Sequence, residues 1–221
     1  VVDMKKDKIT VNANTKLSES PVTLTLAYFI QNQKMNLKLV ADKLPFNQVA
    51  RYKMIKNTKI EADGAVSGSL ELNIDTKTKK GTLDGKFSSD NIRISNSNFQ
   101  NIKTTMKITN EKLTLSNTSF VFNEAFSGFK VNEDVKVGKF VYDLKNKTGT
   151  ADYVLNNLGS DFNIKKITGS VKISSKNIIT GTVRSNVLKG RYTVNPKVQT
   201  AVINARSNGY FTVNYGGKSY K

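Results

Sequence analysis

The chain has 221 residues and carries 35 Lys and Arg against 17 Asp and Glu, a formal net charge of +18. It contains no Cys, His or Trp, which excludes disulfides, thiolate and imidazole metal sites, a Ser-His-Asp triad and indole anchors at a membrane interface. Hydrophobic residues make up only 38% of it, a share that suits one layer of half-buried strands better than a two-layer globule with a thick core.

Taken in chain order, Lys5, Lys6 and Lys8 lead into a predicted strand over 9–13. Strands at 22–30 and 35–41 follow a turn-rich stretch. Alternation then breaks: Phe46, Val49 and Tyr52 fall three apart behind Pro45, which predicts a short helix over 45–52. Further strands are predicted at 65–74, 81–87, 91–95, 102–109, 112–115, 119–122, 126–131, 135–144, 149–155, 162–164, 167–174, 178–183, 191–194, 200–205 and 210–215. Nearly all show apolar residues at every second position, as in Leu37-Lys38-Leu39, Leu70-Glu71-Leu72-Asn73-Ile74, Met106-Lys107-Ile108, Leu113-Thr114-Leu115, Phe120-Val121-Phe122 and Val171-Lys172-Ile173. A period of two places successive side chains on opposite faces of a strand, so the predicted sheet is apolar on one face and wet on the other. Turns carry Asn, Asp, Gly and Lys, as in Asp75-Thr76-Lys77 and Lys145-Asn146-Lys147. No Pro-rich or Gly/Ser-rich linker divides the chain, so residues 1–221 are expected to form a single unit.

A short internal similarity points to a repetitive array. Val66-Ser67-Gly68-Ser69-Leu70-Glu71-Leu72 parallels Ile167-Thr168-Gly169-Ser170-Val171-Lys172-Ile173, and each precedes a Gly-Thr-apolar step, at Gly81-Thr82-Leu83 and Gly181-Thr182-Val183.

The residues that could carry catalysis do not assemble into a known arrangement. Ser127-Gly128-Phe129-Lys130, Ser89-Asp90-Asn91 and Lys147-Thr148-Gly149 match three signatures of β-lactam-reactive serine enzymes, but in the wrong chain order and with the first in strand-like sequence. Glu133-Asp134 is the only adjacent acidic pair, and neighbours on a strand point apart, so no glycosidase pair forms. No calcium loop or glycine-rich phosphate cradle is present. The chain reads as a non-enzyme with no cofactor and no metal.

The positive charge favours anionic surroundings, or serves to keep strand faces and edges soluble. Nucleic acid is not the expected partner, because aromatics such as Phe120 and Phe122 share the apolar face while Lys occupies the other. The longest apolar run, 22–30, is too short to span a bilayer as a helix. The chain opens without the cationic and apolar regions of a secretion signal, so any such signal is expected outside it. Periodicity alone leaves three architectures open: an open sheet with an apolar groove, a closed β-sandwich or surface-adhesin repeat, and an outer-membrane barrel.

Across residues 39–122 the order of landmarks resembles the TamB/AsmA-like family of bacterial envelope proteins. A Lys-Leu-Pro-Phe turn (Lys43, Leu44, Pro45, Phe46) precedes a short helix, and a Gly-bracketed strand containing Gly64, Gly68, Leu70 and Leu72 follows. A Gly-Thr-Leu-Asp-Gly-Lys-Phe step ending at Phe87 leads to Ile92 and Ile94, and a Phe-Gln-Asn-Ile step (Phe99 to Ile102) runs into Met106, Ile108, Leu113 and Leu115. The resemblance implies an all-β, elongated, bent U-shaped and mostly antiparallel sheet with one short helix, part of a longer repetitive protein. It implies a continuous apolar groove for phospholipid acyl chains, lined by Leu24, Leu26, Leu37, Leu39, Leu70, Leu72, Ile74, Leu83, Phe87, Ile92, Ile94, Met106, Ile108, Leu113, Leu115, Phe120, Phe122, Val171 and Ile173. It further implies a periplasmic location in a diderm bacterium, phospholipid transport between inner and outer membranes or outer-membrane protein assembly, a BamA-like barrel partner, and an inner-membrane anchor outside this segment.

Overall fold

The computed structural model describes residues 1–47, 62–94, 97–126, 129–156, 164, 166–195, 197–198, 200–207, 213–215 and 218–220. The chain is all-β. Its strands are β1 (Val2–Lys5), β2 (Lys8–Leu17), β3 (Ser20–Phe29), β4 (Lys34–Pro45), β5 (Ala62–Asp75), β6 (Lys80–Ile94), β7 (Ser97–Thr109), β8 (Lys112–Phe126), β9 (Phe129–Val137), β10 (Phe140–Asp143), β11 (Thr148–Asn156), β12 (Lys166–Ile173), β13 (Ile179–Arg184), β14 (Leu188–Asn195), β15 (Thr200–Ser207), β16 (Val213–Tyr215) and β17 (Lys218–Tyr220). β1 to β15 form one 15-stranded sheet and β16 with β17 a separate two-stranded ribbon. Every pairing is antiparallel, and neighbours in the sheet follow chain order except that β9 and β10 both lie between β8 and β11.

Of the helix expected over 45–52, Pro45 closes β4 and Phe46–Asn47 are helical; the remainder lies outside the described residues. The strand expected at 162–164 falls outside them too, except Ile164, which is not in a strand. In the strand expected at 210–215, residues 213–215 form β16.

Tight hairpins set the register. Ser18 and Glu19 (φ 48° and 67°) join β2 to β3, and Asn110 and Glu111 (φ 49° and 62°) join β7 to β8. Two consecutive residues with positive φ give the turn whose twist matches that of the strands. Two four-residue turns are closed by aspartates. Asp75 Oδ1 accepts from the Thr78 amide at 2.8 Å, and Asp143 Oδ1 from the Asn146 amide at 2.7 Å. These bonds hold both carboxyls below the ordinary aspartate pKa.

A line of irregularities crosses the sheet from β4 to the β9/β10 boundary. Register shifts fall between Ala41 and Leu44, between Gly64 and Ser67, and on either side of Lys103. Lys43, Asn101 and Asn117 have φ of 51°, 52° and 52°, and Gly138 and Lys139 interrupt the lane that β9 and β10 share. At each bulge the extra residue resets which neighbours point to which face. In β5 the conformation falls to Gly64 (φ 113°), where a Cβ would collide with the Asn91 backbone.

Hydroxyls satisfy the carbonyls and amides that the bulges release. Ser20 Oγ donates to the Lys43 carbonyl at 2.8 Å, Ser67 Oγ accepts from the Lys43 amide at 2.9 Å, and Ser89 Oγ lies 2.5 Å from the Ala65 carbonyl oxygen and 3.1 Å from that of Asn91. Thr104 and Thr118 share a hydroxyl bond of 2.7 Å. Ser20 and Ser89 are buried, as are Val22, Ala41, Ile92 and Val135 beside the same line. Four of the five buried apolar side chains among the described residues therefore lie along this crease, and the fifth, Ala27, sits in β3 away from it.

Elsewhere coverage is thin. No described side chain is less than 2% exposed. The chain's accessible surface is 15652 Å² for a mass of 24.5 kDa, where a compact monomer of that mass would expose roughly 10,000 Å².

Candidate functional site

Residues directly opposite each other in an antiparallel ladder share a face, so the register traces that face across the sheet. Val11 stands opposite Leu26, and the row continues through Leu37, Leu72, Leu83, Ile108 and Leu113. It then passes through Tyr142, Gly149, Ile173 and Ile179 to Val194 in β14. A parallel row runs Leu24, Leu39, Leu70, Gly85, Met106, Leu115, Phe140. Two shorter rows flank these, Tyr28–Met35–Ile74 on one side and Val22–Ala41–Gly68–Phe87 on the other.

Beyond the crease the same face continues because the bulges shift phase together. Ile92 stands opposite Phe99 and Phe99 opposite Phe122, while Ile94 pairs with Ala62. The Phe99 ring lies 5.6 Å from that of Phe120 and 5.3 Å from that of Phe122, contacts worth about 0.5–1.5 kcal/mol each beyond burial. Phe120 is opposite Val135, Val135 opposite Leu155, and Leu155 opposite Ile167. Val171 pairs with Ala151 and Gly181.

All nineteen residues expected to line an apolar groove thus fall on one face of one sheet. Ile92 is buried and the other eighteen are half-buried. The same face also holds Tyr28, Met35, Phe99, Phe140, Tyr142, Leu155, Ile167, Ile179 and Val194, none of which was expected in the groove. Their signal was the same alternation, carried in strands with weaker landmarks.

Rings fill the places where this face has glycine. The Phe87 ring lies against Gly68 and Gly85, Tyr153 against Gly169, and Tyr192 against Gly181. Tyr153 Oη donates to the Thr182 carbonyl at 3.0 Å and Tyr192 Oη to the Ser170 carbonyl at 3.3 Å. Burial, with Tyr192 alongside, pushes the Tyr153 phenol well above its ordinary pKa. The two copies of the internal repeat each place glycine on this face beneath a ring, Gly68 under Phe87 and Gly169 under Tyr153. Their partner strands differ in register, however: Leu72 pairs with Leu83, whereas Ile173 pairs with Ile179.

The opposite face is polar. One row reads Asn12, Thr25, Lys38, Glu71, Asp84, Lys107, Thr114. Lys107 Nζ lies 3.6 Å from Asp84 Oδ1, and Asn36 Nδ2 donates to Glu71 Oε1 at 2.7 Å. Lys8 Nζ sits 5.2 Å from the centre of the Phe29 ring. Open concavities border this face, one flanked by Asn36, Asn73, Thr82 and Thr109 and another by Ser69, Lys86 and Thr105.

Of the three enzyme-like motifs, two can be placed, and they lie apart. Ser89 is engaged at the crease, Lys147 stands in the β10–β11 turn, and Ser127 lies outside the described residues. Among the described residues no cluster of three or more acidic side chains could hold a metal ion, and no helix is long and apolar enough to cross a membrane. No protein-family model matches the chain, and no similar curated protein or solved structure was found.

Proposed function

We propose that this chain is a lipid-shielding β element of the bacterial periplasm, similar in role to TamB/AsmA-like proteins, whose apolar face curves into a groove that covers phospholipid acyl chains. The observation that carries the reading is the apolar row from Val11 to Val194, half-buried except at the buried Gly149 and without a second protein layer over it among the described residues. A face of this kind needs an apolar occupant, and acyl chains fit it without any specific polar contact. Each methylene removed from water contributes about 0.8 kcal/mol, so area alone can hold a lipid tail.

The sheet lets a lipid chain lie along the strands or across them, since neighbouring rows are continuous in both directions. In this reading the Lys, Thr and Asn of the other face keep the loaded sheet soluble between membranes. Transport of phospholipid between inner and outer membranes, or assistance to outer-membrane assembly with a BamA-like barrel, is the cellular role proposed. A sandwich or adhesin repeat would bury the same aliphatic residues against a second layer, and their partial exposure favours the open sheet.

Native mass spectrometry of the purified chain, followed by organic extraction and lipid analysis, tests this. Phospholipid bound at defined stoichiometry is the expected result. A folded, lipid-free protein that does not bind hydrophobic dyes would overturn it.

A further inference from the structure

Three of the chain's five arginines meet on the polar face at its C-terminal end. Arg184 in β13 stands opposite Lys189 in β14, and Lys189 stands opposite Arg206 in β15. One step along the strands, Arg191 stands opposite Thr182 and Asn204. Together they border an open concavity of ≈ 1050 Å³ that no carboxylate lines. All four cations are exposed.

Like charges placed directly opposite in a ladder are unfavourable; elsewhere they meet at Lys5 and Lys8 in the β1–β2 hairpin and at Glu71 and Asp84, where a lysine stands on either side of the acidic pair. Lys38 faces Glu71 and Lys107 faces Asp84 in the central lanes. At the C-terminal end no such compensation occurs among the described residues. The described ion pairs, Lys16–Glu19 and Lys107–Asp84, lie elsewhere, and the acid that shares the Arg191 row, Asp152, is separated from it by Ser170 and Thr182. The side chains chosen are also unusual for this sequence, in which lysine otherwise supplies most of the positive charge. Arginine differs from lysine in presenting a planar fork that binds oxyanions through two parallel hydrogen bonds.

We propose that Arg184, Lys189, Arg191 and Arg206 form a binding site for phosphate groups. A phosphate carries charge and acceptor oxygens enough to engage several forks at once, which a single carboxylate cannot. The β13–β14 and β14–β15 hairpins hold the cations at fixed register, so the anion meets a preformed cluster. This site lies on the face opposite the apolar rows and stands independently of what those rows cover.

The test measures binding of inorganic phosphate by isothermal titration and of phosphatidylglycerol-containing vesicles by flotation, with phosphatidylcholine vesicles as reference. The variants are Arg184→Gln/Arg206→Gln, Arg184→Lys, and Arg93→Gln as a control. Arg93 lies on the same face in β6, opposite Asp63 and Asn98, outside the cluster. The double variant is expected to weaken binding about tenfold or more and Arg184→Lys by less, while Arg93→Gln stays near the parent. Saturation by millimolar inorganic phosphate identifies a soluble phosphate as sufficient, and binding only to phosphatidylglycerol vesicles identifies a phosphodiester at a lipid surface. Binding to neither, or equal loss in the Arg93→Gln control, overturns the site. Circular dichroism confirms that each variant is folded, and a Leu72→Asp protein should retain phosphate binding in full.

Discussion

Tyr192 lies across Gly181, its hydroxyl donating to the Ser170 carbonyl at 3.3 Å, and one lane away Tyr153 covers Gly169 in the same manner. The apolar face thus keeps its surface continuous where a strand supplies no side chain, by borrowing a ring from the neighbouring lane. The glycines are required for space: a Cβ on either would overlap the ring and the adjoining backbone.

Gly169→Ala is therefore expected to destabilise the sheet by about 1–3 kcal/mol, the usual cost of overpacking. Urea denaturation checks this. A Gly169→Ala/Tyr153→Ala double variant should recover part of the loss, because the obstructing ring is gone. A single variant as stable as the parent would show that Tyr153 moves aside freely.

The raised Tyr153 pKa makes a second expectation with a definite sign. The folded state holds the phenol proton more tightly than the unfolded chain. The corresponding stability is complete below the unfolded value near 10 and is lost as pH rises from there through the folded value. Tyr153→Phe should lose less stability than the parent as pH is raised above about 10. Parallel stability curves for the two proteins on the alkaline side would contradict the assignment.

The crease predicts opposite outcomes at one position. Asn117 adopts φ 52°, a conformation that costs an ordinary L-residue roughly 1–2 kcal/mol and a β-branched one more. Asn117→Val should lower stability by at least about 1 kcal/mol, while Asn117→Gly should be close to neutral. At Ser89, which is buried and serves two carbonyls, replacement by Ala should cost about 1–3 kcal/mol. Thermal melts of the three variants are sufficient to decide.

For the apolar face, Leu72→Asp and Ile108→Asp are each expected to weaken phospholipid binding thirtyfold or more, taking about 2–3 kcal/mol for a buried aliphatic side chain. Lys77→Ala, in the exposed β5–β6 turn, should leave it unchanged. Equal losses in all three, or none in any, would exclude the groove. Lipid co-purification quantified by phosphorus assay gives the readout.

The strand content and its two faces were legible in the sequence because a period of two is a local signal. The places where that reading broke strands are informative. It separated 81–87 from 91–95, started a strand only at 102, and split 112–115 from 119–122. The structure has continuous strands there, β6, β7 and β8, with bulges near Asp90, Asn101 and Asn117. A bulge shifts the phase of alternation without reversing the chain, and in a single sequence that looks like a turn. The expected strand at 135–144 was instead interrupted at Gly138 and Lys139, where the crease crosses its lane.

What could not be read was the alignment of distant lanes. Arg184, Lys189 and Arg206 become neighbours only through the lengths of two hairpins. Likewise, that Phe99 joins Phe120 and Phe122 depends on a bulge at Asn101 that no local pattern announces. Composition identified an apolar face, but its occupant depends on chemistry outside the chain.

The order of lanes also shapes how the sheet assembles. Among the described residues each lane from β1 to β15 is hydrogen-bonded only to lanes next to it in the sequence, the interrupted β9/β10 lane included. Folding can therefore begin at any stable hairpin and spread outward by zipping, with little loop-closure entropy at each step. The central lanes β4 to β8, long and densely connected, are the natural place for it to start. Opening should proceed in the reverse direction, the terminal hairpins exchanging their amide hydrogens first and the lanes around Leu72 and Leu83 last.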